Sequence, residues 1–186
     1  MEDRGRRMID TINIDMDGVL YDFTGQMAVM DGFDYAGRWL EYVQDQNLSL
    51  HEYIVSKFDE YAPNGLFLNG NLCTGAIELL FHVDKLRTKH GLKVNILGAL
   101  PHNKPYANII KEHKLSFIKR LNLNYYFDDI ILVDGSKSKL KYANKNSILI
   151  DDYPATKSRY DKIGGNMILH KNTKNTINEL NKYSFK

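Results

Sequence analysis

The residues best suited to chemistry are two acidic pairs. Asp15 and Asp17 lie two apart in Ile12-Asn13-Ile14-Asp15-Met16-Asp17-Gly18-Val19-Leu20, directly after an apolar run containing Ile9, Ile12 and Ile14. Such a run reads as a buried strand, and residues two apart on a strand point the same way. Both acids therefore aim at one spot beyond its carboxyl end, where ligands bind in an α/β sheet. Far downstream, Ser147-Ile148-Leu149-Ile150-Asp151-Asp152 repeats the design. Like charges held this close repel and call for a cation between or beside them, and oxygen-only ligation suits Mg²⁺. Asp-x-Asp-Gly alone also reads as a polar turn closing a strand. The second pair is what favours a four-carboxylate pocket.

The elements that must position these acids follow from the pattern. From Phe23 to about Gly70 the chain reads as irregularly helical, with aromatics at Phe33, Tyr35, Trp39, Tyr42, Tyr53, Phe58 and Tyr61. Trp39, Leu40 and Val43 share one helix face, and Leu50, Ile54 and Phe58 another. Pro63-Asn64-Gly65 marks a turn before a short extended piece, Leu66-Phe67-Leu68. A helix capped by Thr74 should then bury Ile77, Leu80, Phe81 and Leu86. A second strand, Val94 to Leu97, ends at Gly98-Ala99-Leu100-Pro101, and a long helix is expected from Asn103 to Leu121. The strand Asp129–Asp134 leads through Gly135-Ser136 into a basic helix, Lys137 to Tyr142. After Asp152 come a short helix from Lys157 to Ile163, a strand Met167–Leu169 and a terminal helix capped by Thr173. Strands alternating with helices imply a parallel α/β sheet covered on both faces.

Composition narrows the function classes. A chain of 186 residues, 43% hydrophobic and 26% charged, is ordinary for one globular domain, with room for a small insertion. A net charge of +2 is too small to argue for a nucleic-acid polymer as partner, and no apolar run approaches the length of a membrane span. The single cysteine, Cys73, cannot form an internal disulfide and points to a reducing compartment. Met1 to Arg7 is too short and, with Glu2 and Asp3, too acidic for a transit peptide, and reads as a solvated tail. The six histidines show no zinc spacing, and neither a phosphate loop of the Walker type nor a serine nucleophile elbow is present.

Asp15-Met16-Asp17-Gly18-Val19-Leu20-Tyr21-Asp22-Phe23 resembles the first motif of the haloacid dehalogenase (HAD) superfamily, and Leu149-Ile150-Asp151-Asp152 its fourth. Within it, the chain is most similar to the 5'(3')-deoxyribonucleotidase branch and its phage and bacterial relatives, from about Met8 to Asp152. The resemblance implies an HAD-like Rossmannoid three-layer core with a parallel sheet, formed by residues 1–22 and 71–186. A small helical cap, residues 23–70, would be inserted after the first strand. It implies a Mg²⁺-dependent phosphatase acting on nucleoside monophosphates, small-molecule substrates, through an aspartyl-phosphate. Asp15 would be the nucleophile and Asp17 the acid and base, with Mg²⁺ held by Asp15, Asp17 through its carbonyl, and Asp151 or Asp152. One lysine among Lys137, Lys139 and Lys141 would neutralise phosphate and nucleophile, Lys139 being favoured. Phe23 stands where the family places a base-contacting phenylalanine.

One position departs from the family. Gly98 stands where relatives carry a phosphate-holding threonine or serine, with Ala99 next to it. A backbone amide at Gly98 or Ala99, or a neighbour such as Asn95 or Thr74, would then have to serve. Two other classes stay open: an HAD phosphatase or phosphotransferase on another small phosphoester, and a nucleotide-binding protein with weakened catalysis. A cytoplasmic location, in a bacterium or a phage-infected host, fits the resemblance, as does a homodimer.

Overall fold

The computed structural model describes residues 8–34 and 36–186, so the expectations for Met1 to Arg7 and for Tyr35 lie outside the described residues. The first apolar run divides at Asp10. β1 (Met8–Ile9) pairs in parallel with a C-terminal strand, β7 (Ser184–Phe185), whereas β2 (Thr11–Ile14) enters a five-stranded sheet. Its partners are β3 (Lys93–Leu100), β4 (Asp129–Asp134), β5 (Ser147–Asp151) and β6 (Asn166–Leu169), all parallel, in the order β4-β3-β2-β5-β6. This is the expected parallel α/β architecture.

Period-two alternation divides the sheet between two cores. Ile12, Ile14, Val94, Ile96, Ile148 and Ile150 face the larger one, shared with α4 (Ala76–His90), α5 (Ala107–Arg120) and α7 (Thr173–Leu180). Leu97, Leu149 and Met167 face a smaller one, closed by Tyr160 of α6 (Pro154–Lys162) and by Leu140 of a 3₁₀ turn, Ser136–Tyr142. On this side Asn95 Nδ2 donates to Asn13 Oδ1 at 3.0 Å, which pairs two buried amides within the sheet. Met16 continues the alternation into the larger core, so Asp15 and Asp17 are turned away from it.

Between β2 and β3 lie α1 (Phe23–Met30), α2 (Ala36–Asp45) and α3 (Leu50–Tyr61), followed by a π-helical turn, Ala62–Leu66. Asp22 caps α1, and Ser49 and Glu52 form a reciprocal capping box at α3. These helices meet around Asp31, whose carboxylate accepts from Trp39 Nε1 at 2.5 Å, the Tyr53 hydroxyl at 2.8 Å and the Tyr61 hydroxyl at 2.5 Å. Trp39 and Val43 are buried as their spacing implies, but Leu50 is exposed and Tyr53 is buried instead. Leu66 to Leu68 is the end of a helical turn, not an extended piece.

Other local expectations are also corrected. α4 buries Ala76, Leu79, Leu80 and Val83, leaving Ile77 and Phe81 exposed, because its axis is rotated relative to the stripe read from the larger side chains. Gly75, left-handed at φ 82°, occupies the cap position of α4 in place of Thr74, and Asn172, not Thr173, caps α7 through Asn175 N. α5 starts at Ala107, since Asn103 is itself left-handed at φ 53°. α6 starts at Pro154, whose fixed φ and missing N–H suit a first helical turn.

Candidate active site

β2 lies between β3 and β5, so the carboxyl ends of β2 and β5 are adjacent, and Asp15 N donates to Ile150 O at 2.8 Å. That register brings the two acidic pairs together. Oxygens of Asp15, Asp151 and Asp152 lie within 4.8 Å of one another. Gly18, at φ 74°, turns the chain beneath them, and a Cβ there would come within 2.0 Å of Asp152 Oδ2. The glycine of Asp-x-Asp-Gly is thus required twice, for its conformation and for the approach of Asp152.

Of the candidate lysines, Lys139 enters the site. It is 2% exposed, and its Nζ lies 2.7 Å from Asp15 Oδ2 and 2.6 Å from Asp151 Oδ2. Lys137 is exposed. Burial alone would push the Lys139 ammonium down, but the charges of Asp15 and Asp151 hold it well above its ordinary value. Asp151 is also bonded by Tyr153 N at 2.8 Å through its other oxygen, so both of its oxygens are engaged. Burial, then repulsion from Asp15, pushes Asp151 up to about 6 against the pull of Lys139. Asp152, at the open mouth of the cleft, is pushed up to about 7 by desolvation and by the charges of Asp15, Asp151 and Asp17. No side-chain donor reaches its carboxylate among the described residues, so it is the least engaged of the three; Asp15, like Asp151, has both oxygens engaged, Oδ1 accepting from Met16 N at 2.8 Å and Oδ2 lying against Lys139. The all-carboxylate donor set, with like charges that repel one another, fits Mg²⁺.

Asp17 is held differently from the other three. Its Oδ2 accepts from Lys114 Nζ at 2.5 Å, while its Oδ1 is buried without a partner. Burial and the charge of Asp15 raise its pKa, and Lys114 opposes them. The Asp17 side chain is not part of the three-carboxylate cluster. Lys114 was missed by the sequence reading. It is 1% exposed, also donates to Ala99 O at 2.9 Å, and sits 4.6 Å from the Phe67 ring centroid. A signal existed: Ile110, Lys114, Phe117 and Ile118 share one helix face, so a lysine occupies a core position in an apolar stripe.

Two clefts meet at Asp17. One, of about 260 Å³, contains Asp15, Asp17, Ala99, Ser136, Lys139 and Asp152. The other, of about 270 Å³, is walled by Phe23, Phe58, Phe67, Leu100 and Pro101 and runs from Asp17 to the helices that follow β2. Phe23 belongs to both and packs on Phe67 at 5.9 Å between centroids. Gly98 has no left-handed φ, and a Cβ there would meet Leu132 Cδ2 at 3.1 Å and stand 3.9 Å from Asp15 Oδ1. Neither Asn95 nor Thr74 lines this cleft: Asn95 is turned to Asn13, and Thr74 is exposed outside it.

No protein-family model matches the chain, and no curated protein matches it in sequence. Solved structures do share its fold. A hydrolase from Streptococcus pneumoniae TIGR4 superposes with a TM-score of 0.59 at 15% identity, over 93% of this chain and 98% of that one. A protein described as a predicted HAD-like family hydrolase from Porphyromonas gingivalis gives 0.50 at 15% identity, over 94% and 97%. L-2-haloacid dehalogenase from Xanthobacter autotrophicus gives 0.50 at 12% identity, over 86% and 76%. The chain therefore has the fold of HAD-like hydrolases, with its acidic pairs at adjacent strand ends of that fold.

Proposed function

We propose that this protein is a Mg²⁺-dependent phosphatase that hydrolyses nucleoside monophosphates to nucleoside and phosphate. The observation that carries the proposal is the different restraint of two neighbouring carboxylates. Asp15 is fixed against Lys139, whereas Asp17, which lines both clefts, is held through Oδ2 by Lys114 and has its buried Oδ1 without a partner.

Each part has a chemical task. Asp15 attacks phosphorus to form an aspartyl-phosphate as the bond to the leaving oxygen breaks, dividing a hard displacement into two. Asp17 delivers a proton to that oxygen. In the second step it takes a proton from water, which attacks phosphorus and releases Asp15 and inorganic phosphate. Lys114 stabilises the ionised Asp17 between these proton transfers, and Lys139 offsets negative charge at Asp15. Mg²⁺, held by Asp15, Asp152 and the Asp17 carbonyl, would supply the positive charge that lets an anionic nucleophile approach an anionic phosphate. The aromatic cleft beyond Asp17 suits a base, because the half-buried Phe23 and Phe58 line it, backed by the buried Phe67, on the leaving-group side.

The test is phosphate release from a panel of nucleotides and sugar phosphates, with Mg²⁺ and with chelator. Mg²⁺-dependent release favouring nucleotides is expected. Release from sugar phosphates alone would replace the nucleotide reading, and no release from any compound would overturn the phosphatase reading.

A further inference from the structure

A cleft that takes a phosphate must offer hydrogen-bond donors, and this one is rich in acceptors. Asp15, Asp17 and Asp152 all line it, and its lining cation, Lys139, is already held by Asp15 and Asp151. A neutral donor is therefore needed for the phosphoryl oxygens. β3 does not provide one as a side chain, because its end at this site is Gly98-Ala99.

The loop after β4 does. Gly135 N donates to Leu100 O at 2.9 Å, which lays the loop over the end of β3, and Gly135 at φ 71° turns the chain into the 3₁₀ segment Ser136–Tyr142. In a 3₁₀ helix, side chains at i and i+3 eclipse, so Ser136 and Lys139 lie on one face. Since Lys139 points to Asp15, Ser136 is brought to the same cleft, and it lines that cleft. Its hydroxyl makes no hydrogen bond among the described residues. Ser138, two positions on, is spent on structure, its Oγ donating to Asp134 O at 2.6 Å. The other threonine and serine hydroxyls of the cleft are less suited. Thr156 is 1% exposed, and Thr24 belongs to α1, on the leaving-group side with Phe23.

We propose that the Ser136 hydroxyl donates a hydrogen bond to the phosphoryl group of the substrate, in the place where position 98 offers none. The assignment rests on the phosphatase reading for its role in turnover, but it is a statement about phosphate binding that can be measured separately. The probe is inorganic phosphate, titrated calorimetrically with saturating Mg²⁺ into wild type, Ser136→Ala, Ser136→Thr and Ser138→Ala. Steady-state kinetics on p-nitrophenyl phosphate are run beside it.

Ser136→Ala should weaken phosphate binding and lower kcat/KM by roughly 10- to 100-fold, the effect of losing a hydrogen bond to a charged group, while its melting temperature and Mg²⁺ affinity hold. Ser136→Thr should keep most of both, and Ser138→Ala should bind phosphate normally. Adding Gly98→Ser to Ser136→Ala should recover part of the loss. The new Cβ would stand 3.9 Å from Asp15 Oδ1, crowded at 3.1 Å only by the end of the flexible Leu132 side chain. Active wild type with Ser136→Ala unchanged in phosphate affinity would overturn this assignment and leave the phosphatase reading standing. Inactive wild type whose phosphate binding still depends on Ser136 would do the reverse.

Discussion

Lys114 Nζ lies 2.5 Å from Asp17 Oδ2, so a lysine from the apolar face of α5 neutralises the carboxylate proposed as acid and base. Buried charge pairs seldom stabilise a fold relative to apolar replacements of similar size. The pair is thus better explained by what it does to Asp17 than by stability. Lys114→Met removes only one partner and leaves the Asp17 charge unpaired, so it should lower stability at neutral pH by up to about 3–5 kcal/mol and slow turnover about 10- to 100-fold. Without the cation the Asp17 pKa rises further, so the pH-rate limb that reports Asp17 should move to higher pH. An unchanged profile would assign Lys114 to packing alone.

Asp15→Asn keeps the size of the side chain and removes the proposed nucleophile. Activity should fall by roughly 10³-fold or more, as expected when a covalent nucleophile is lost. Its thermal unfolding should remain cooperative, since Lys139 keeps Asp151 as a partner at 2.6 Å. Undiminished phosphate release would remove Asp15 from the mechanism.

Phe23 faces both clefts and packs on Phe67. If it stacks on the base, Phe23→Ala should cost about 1–3 kcal/mol in kcat/KM for nucleotides, the range seen for base–aromatic stacking. The same change should be nearly silent on a phosphoester without an aromatic leaving group, such as glycerol phosphate. Equal losses on both substrates would make Phe23 a packing residue.

Metal removal should be felt through pH. Asp152 and Asp151 are pushed up to about 7 and about 6 in the folded protein, against an ordinary value of 3.8. Facing them are Asp15, Asp17 and Lys139. Without metal the folded state binds more protons than the unfolded one across that interval. The apo protein should therefore lose stability as pH rises from 4 toward 7. If Mg²⁺ is held by the ionised carboxylates of the folded state as proposed, it should raise the melting temperature more at pH 8 than at pH 5. Differential scanning fluorimetry with Mg²⁺ and with EDTA measures this, and an equal gain at both pH values would argue against these carboxylates as the ligands.

Asp31 joins the helices that follow β2 by accepting from Trp39, Tyr53 and Tyr61. Asp31→Ala would strand three donors in a largely buried setting. The expected loss is about 3–5 kcal/mol, less than the sum of three charge-assisted bonds because the helices can relax. Chemical denaturation tests it, and a loss below about 1 kcal/mol would show that these donors find other partners.

Much of the site was legible because strands announce themselves locally. Apolar runs that end in paired acids mark both where a strand stops and which residues project from its end, so Asp15, Asp17, Asp151 and Asp152 could be named from spacing alone. The glycine at position 18 belonged to the same short motif. What spacing cannot reveal is which strand ends become neighbours and what approaches them from elsewhere. Only the order β4-β3-β2-β5-β6 sets Asp15 beside Asp151, engages Asp151 with Lys139 and Tyr153, and leaves Asp152 open. The departures elsewhere have the same origin. The stripe of α4 was read from side-chain size, whereas docking against the sheet turned Leu79 and Val83 inward and left Phe81 outside. Lys114 was hidden because periodicity assigns a face to a helix but not the carboxylate that face will meet. Ser136 looked like part of a turn until the 3₁₀ geometry aligned it with Lys139. Local pattern thus determined the strands and the acids at their ends, while long-range packing, which brings residues distant in sequence within a few ångströms, decided which carboxylate is restrained, which is free and which donors face them.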